Sequence, residues 1–132
     1  MSIRSRHSDL VSELLKDPQD IVNEITARDA NLIHGIMGVA GEVGELLDTI
    51  KKHVIYKKEL DYENVVEELG DIEFYLEVIR QEMGIERDET LESNIIKLRK
   101  RYPSGYSNQL AQERLDKNEE TRMQLDKVLD YK

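Results

Sequence analysis

From Ile33 onward the apolar residues Ile33, Ile36, Ala40, Val43, Leu47, Ile50 and Val54 follow one another at steps of three or four. Val65, Leu69, Ile72, Leu76, Ile79 and Met83 do the same. Such steps fall on one face of an α-helix and on no face of a strand. The spacing predicts two long amphipathic helices, one over residues 27–54 and one from Asp61 or Tyr62 to about Met83. Gly84 stands where a helix C-terminal stop belongs. A third helix is expected from about Arg87 to Arg101, with Leu91, Ile95 and Leu98 inward and Pro103 and Gly105 ending it. Upstream, Ser8 is expected to cap a helix from Asp9 to Lys16. Pro18 breaks it, and Ile21, Val22 and Ile25 suggest a further helical turn.

Helix count and short links favour an all-α fold, an antiparallel helical bundle whose four-helix core is completed by dimerisation. At 132 residues the chain suits one domain, expected to bury roughly two-thirds of its unfolded surface. Residues 1–106 are assigned to that domain. Residues 107–132 form a charged segment with a thin apolar stripe, expected to be partly helical and docked on the same domain or on a partner subunit. With 36% charged residues, 5% aromatics, no Trp and a single Phe74, β-sheet formers are scarce.

Absence of cysteine excludes disulfide frameworks, zinc fingers and thiol catalysis. No apolar run approaches the roughly 20 residues of a membrane span, and the N-terminus carries no apolar signal segment. A soluble cytoplasmic protein is expected. A net charge of −9 opposes binding to nucleic acid or anionic membrane, so a phosphate-rich ligand must bring a cation with it.

The chemistry concentrates in two runs. GEVGELLD sets Glu42 and Glu45 three apart, and EELGD sets Glu68 and Asp71 three apart. That spacing puts each pair on one helix face, bordering the apolar seam. Antiparallel packing through the seams would bring four carboxylates to one interface edge. They persist there only if protonated or neutralised by cations, and oxygen-only ligand sets select Mg²⁺, with Mn²⁺ as a substitute. A di-iron bundle would need Glu-x-x-His pairs, and neither His34 nor His53 stands three after a Glu. Gly35, Gly38, Gly41 and Gly44 share the first helix with these acids. Each costs about 1 kcal/mol against Ala, for which close helix packing or close ligand approach are the two reasons available.

HGIMGVAGEVGELLDTIKKHVIY, LDYENVVEELGDIEFYLEVIRQ and NIIKLRKRYPSGYS, taken in this order, resemble the MazG-like family of all-α nucleotide pyrophosphohydrolases over roughly residues 10–116. The resemblance implies that Glu42, Glu45, Glu68 and Asp71 hold Mg²⁺ at the triphosphate of a nucleoside triphosphate, releasing the monophosphate and pyrophosphate. It also implies that Asn94, Lys97, Arg101 and Tyr102, around the K-x-x-x-R-Y element, contact phosphates or sugar, and that His34 lines the nucleoside pocket. The chain is then expected to be a homodimer or homotetramer. A carboxylate not committed to metal can take a proton from the attacking water, and Glu45 is the candidate.

Lys51 and Lys52 end the first long helix, either as dipole partners or as phosphate ligands. Phe74 and Tyr75 suit core or interface better than base stacking. Related phosphoribosyl-nucleotide or dUTP-type pyrophosphohydrolases and a non-catalytic helical adaptor are the alternative readings.

Overall fold

A computed structural model of the chain describes residues 2–117, 123, 124, 126 and 127. The helices are α1 (Ile3–Leu14), α2 (Pro18–Glu24), α3 (Ala27–Val54), α4 (Tyr62–Met83), α5 (Arg87–Arg101) and α6 (Asn108–Glu113), followed by a 3₁₀ turn at Leu115–Lys117. The described residues contain no strand, so the chain is all-α. None of these helices is long and apolar enough to cross a membrane.

Local chemistry explains the boundaries. The cap of helix α1 is Ser2, six residues before the expected Ser8, because the Ser2 hydroxyl accepts from the Ser5 backbone N–H at 3.2 Å. Ser8 lies inside the helix instead, its carbonyl accepting from the Ser12 hydroxyl. At α2, Asp17 accepts from the Gln19 N–H at 2.7 Å, and Pro18 takes the first helical position, where a missing N–H costs nothing. Thr26 and Asp29 form a reciprocal capping box at the start of α3. Gly84 ends α4 in the left-handed region at φ +63°, where Ile85 N–H donates to Arg80 O at 2.9 Å.

The chain divides into two units, Met1–Tyr75 and Leu76–Lys132, with the boundary inside α4. In the first unit α3 and the start of α4 run antiparallel: His34 and Gly38 meet Tyr75, Glu42 meets Glu68 and Asp71, and Thr49 meets Asn64. The inward positions of α3 are Leu32, Gly35, Val39, Glu42, Leu46 and Thr49. Each directly precedes a residue of the apolar stripe, and one residue is a rotation of about 100°. The stripe therefore faces outward, with Ile36 57% and Leu47 66% exposed. On α4 the inward series is Val65, Glu68, Ile72 and Tyr75, and Leu69 is exposed. The expected burial of a sizeable apolar core is not met: no apolar side chain among the described residues is fully buried. The chain's internal seam mixes Leu32, Val39, Leu46, Val65, Ile72 and Tyr75 with glycine and polar groups, while the stripe of α3 lies on its outside.

In the second unit Leu91, Ile95 and Leu98 of α5, expected inward, are also exposed, while Ile96, Lys97 and Arg101 are half-buried. Arg114, in the left-handed region at φ 52°, turns the chain after α6 so that Asp116 reaches α5. There Arg101 Nε and Nη2 donate to Asp116 Oδ1 and Oδ2 at 2.6 and 2.8 Å. Arg114 adds contacts at 3.3 and 3.5 Å, and Asp116 is buried. The described part of the C-terminal segment thus docks on α5. Leu125, Val128 and Leu129, expected to carry its apolar stripe, lie outside the described residues.

The Arg101 guanidinium, with Arg114 behind it, holds the Asp116 carboxyl well below the usual carboxylate range against the opposing effect of burial. A depressed folded-state pKa gives stability that is present above the ordinary value of 3.8 and lost as pH falls below it. Hydrogen exchange should therefore find residues 107–117 as protected at pH 5 as at pH 7, with protection falling only below about pH 4. Asp116→Asn should speed exchange there by about 10- to 100-fold at neutral pH.

Candidate metal centre

The antiparallel register gives Glu42 and Glu68 inward positions on facing helices, and Asp71 follows Glu68 by one turn. One carboxylate oxygen from each of Glu42, Glu68 and Asp71 lies within 4.8 Å of the other two. Glu68 is only 4% exposed, Glu42 is half-buried and Asp71 is exposed. Opposite oxygens around an octahedral Mg²⁺ stand about 4.2 Å apart, so this spread matches the reach of a hard cation, and the donor set is all oxygen. Burial pushes the Glu42 carboxyl up, reinforced by its hydrogen bond with Glu68 and by the charges of Glu45, Asp71 and Glu68. The neighbouring acids and burial thus both favour the protonated form of Glu42 relative to a free carboxyl.

Of the four acids expected to converge, three gather. Glu45 stands outside the triad, exposed to solvent, and acts on Glu42 through its charge. It borders a cleft of about 340 Å³ together with Asp48, Thr49, Lys52, Asn64 and Glu68. Lys51 and Lys52 both pair with Asp48, at 3.3 and 2.7 Å, and this pairing raises the Lys52 pKa. Lys52 borders the cleft, while Lys51 lies over the Tyr56 ring at 5.9 Å. His34 is exposed and meets Tyr75 edge-on, with centroids 5.7 Å apart. Tyr75 in turn lies over Gly38, where a Cβ would come within 2.2 Å of its ring. Phe74 packs edge-on against Tyr75 yet remains 62% exposed.

The α5 candidates belong to the second unit. Asn94 and Lys97 border a cleft of about 360 Å³ along α5, and Lys97 makes no ion pair among the described residues. Arg101 is engaged by Asp116, and Tyr102 packs against Tyr106 at 5.5 Å. Sequence reasoning missed Asp116, Thr49 and Asn64. Only Asn64 left a trace in the sequence, its position four residues before Glu68.

Against this geometry, a family model described as the MazG nucleotide pyrophosphohydrolase domain matches residues 31–106. The matched span includes Glu42, Glu45, Glu68, Asp71 and the K-x-x-x-R-Y element. Neither curated proteins nor solved structures give a significant match.

The raised Glu42 pKa sets the sign of a stability effect. The folded chain holds a proton at pH values where the unfolded chain has lost it, so in chelator the fold gains stability as pH falls toward the ordinary value of 4.5. Glu42→Gln should melt above the parent at pH 8 without metal, and the gap should close by about pH 4.5. Melting curves across that range, with and without saturating Mg²⁺, check this. A gap that widens on acidification would contradict the assignment.

Proposed function

Because the chain belongs to the MazG family of nucleotide pyrophosphohydrolases, we propose that it hydrolyses nucleoside or deoxynucleoside triphosphates to the monophosphate and pyrophosphate with Mg²⁺. The observation that carries this reading is the gathering of Glu42, Glu68 and Asp71 carboxylates within 4.8 Å. These three residues would hold the ion, and Mn²⁺ would substitute for it. When bound, it supplies the positive charge that a protein of net charge −9 lacks for a triphosphate, together with Lewis acidity.

The chain's own groups do the rest. Glu45, outside the triad and open to solvent, takes a proton from the water that attacks the α-phosphorus. The bond to the pyrophosphate oxygen breaks opposite the attack. Lys52, paired with Asp48 at the cleft, and Lys51 beside it offer donors to phosphate oxygens. Lys97, Arg101, Asn94 and Tyr102 are proposed as phosphate and sugar contacts, and His34 as a nucleoside contact, on the motif alone. Residues 1–106 form the catalytic domain in this reading, with 107–132 as its appendage.

A panel of nucleoside triphosphates, assayed for pyrophosphate and monophosphate with Mg²⁺ and with chelator, tests the reaction. Release should require the ion, and Asp71→Asn should lower kcat by about 100-fold or more while leaving the helical spectrum unchanged. If no nucleotide yields pyrophosphate, or Asp71→Asn keeps the parent rate, the reading is wrong.

The exposed stripe of α3, with Val66, Leu69 and Phe74 exposed on α4, supports association. A second copy of the chain covers it in this reading, giving a homodimer or homotetramer. Light scattering at micromolar concentration should return a mass of at least two chains, and Leu47→Glu should shift it toward one. A stable monomer would leave the stripe without its proposed partner.

A further inference from the structure

Buried polar side chains are few in this molecule. Among the described residues they are Thr49, Glu68 and Asp116, and Asp116 is committed to Arg101 and Arg114. Thr49 on α3 and Glu68 on α4 meet at one residue, Asn64. The Thr49 hydroxyl donates to Asn64 Oδ1, and Asn64 Nδ2 donates to Glu68 Oε1 at 3.0 Å. The direction of this relay follows from its ends. The amide offers its NH₂ to the carboxylate oxygen, which leaves the amide oxygen needing a donor. Thr49 is that donor. The Asn64 backbone N–H is itself held by Asp61 Oδ1 at 3.1 Å, which fixes the residue at the start of α4, one turn before Glu68.

We propose that Asn64, backed by Thr49, is a positioning residue for the cation: it fixes Glu68 Oε1 so that the remaining lone pairs of the carboxylate face the ion shared with Glu42 and Asp71. The proposal rests on the reading of that triad as a metal site. The residue type suits the task. A lysine or arginine at position 64 would hold Glu68 but neutralise it, competing with the cation for the charge. An aspartate could not donate and would add a fourth negative charge to the cluster. A neutral amide holds the oxygen and leaves the charge in place. Burial raises the stakes, because Glu68 is only 4% exposed and water has little room to replace a lost donor. The helix faces that Asn64 and Thr49 occupy are also those that lock α3 to α4, so the relay fixes the position of Glu68 relative to Glu42 on the opposite helix.

The test is titration of Mn²⁺ alone into the full-length protein, followed by the electron paramagnetic resonance of free Mn²⁺, well below the melting temperature of each variant. Asn64→Ala should weaken Mn²⁺ binding by about 10- to 100-fold, as loss of an outer hydrogen-bond partner does at other metal sites. Thr49→Val, which keeps the shape and removes the hydroxyl, should weaken it by a smaller factor. Thr49→Ser, which keeps the hydroxyl, should bind nearly as the parent does. In turnover assays the Mg²⁺ concentration for half-activation should rise in the same order, with kcat at saturating Mg²⁺ changed less. A residue that only held the helices together would lower melting temperature without moving either metal constant. Parent-like Mn²⁺ affinity in both Asn64→Ala and Thr49→Val overturns the proposal and leaves the triad standing. A parent protein that binds no Mn²⁺ overturns the triad and the proposal together. Should Asn64→Ala fail to fold, Thr49→Val against Thr49→Ser decides: equal affinity in the two overturns the proposal.

Discussion

Glu68 sits in the seam between two helices, nearly out of reach of water, with two other carboxylates within 4.8 Å. Like charges at that separation in a poorly solvated place oppose folding unless something neutralises them. Burial and the neighbouring charges raise the Glu42 pKa, which is the direction that eases this repulsion. A hard cation placed among the three would neutralise the same charges. The arrangement holds because the helices are fixed independently of it. The Thr26–Asp29 capping box fixes where α3 begins, the Tyr75 contact over Gly38 and the Thr49–Asn64 hydrogen bond set its register on α4, and the acids ride on that frame.

Giving inward positions to Glu42, Thr49 and Glu68 has a consequence for the apolar residues. A helix of this kind has one stripe of about 100° or more to bury, and here a series that mixes Glu42 and Thr49 with Leu32, Val39 and Leu46 occupies the face toward α4. Ile36, Val43, Leu47 and Ile50 are displaced by one position, onto the outside. Covering each such side chain is worth about 1.5–3 kcal/mol, a gain the single chain leaves unrealised. The acidic cluster and the exposed apolar stripe are therefore two faces of one helix, and a substitution that rotates α3 would disturb both.

This also marks how far the sequence could be read. Periodicity placed α3, α4 and α5 almost to the residue, because steps of three and four, the Gly84 stop and the Pro103 break are local signals. The facing direction was not local. A stripe of Ile33, Ile36, Val43 and Leu47 says that some surface must cover it and does not say which, and the neighbouring helix turned out to take the adjacent face. The acids show the same division. Paired spacing put Glu68 and Asp71 on one face of α4, since i and i+3 on one helix is a local relation. The meeting of Glu42 with them depends on how the two helices face. That Glu45 stands apart from the other three depends on which way α3 is turned. Ser8 failed as a helix start because Ser2 offered an equally good cap further upstream. Asp116 could not be foreseen at all, since a fifteen-residue return to Arg101 through a left-handed Arg114 leaves no pattern in the sequence.

The glycines of α3 bring the two faces together. Gly38 is required inside the chain, because any Cβ there would run into the Tyr75 ring. Gly41 and Gly44 have open space where a Cβ would stand, with nothing within 4 Å. Each still costs a helix interior about 1 kcal/mol against alanine. Packing within the chain accounts for the first of these and not for the other two. Gly41 directly precedes Glu42, and Gly44 precedes Glu45 at the edge of the cleft that Asn64 and Glu68 also line. A bare backbone beside the acids leaves room for a bulky anionic group to come close to α3, and beside the stripe it leaves room for another helix. Close approach from outside the chain is the compensation that remains for them, whichever of the two surfaces provides it.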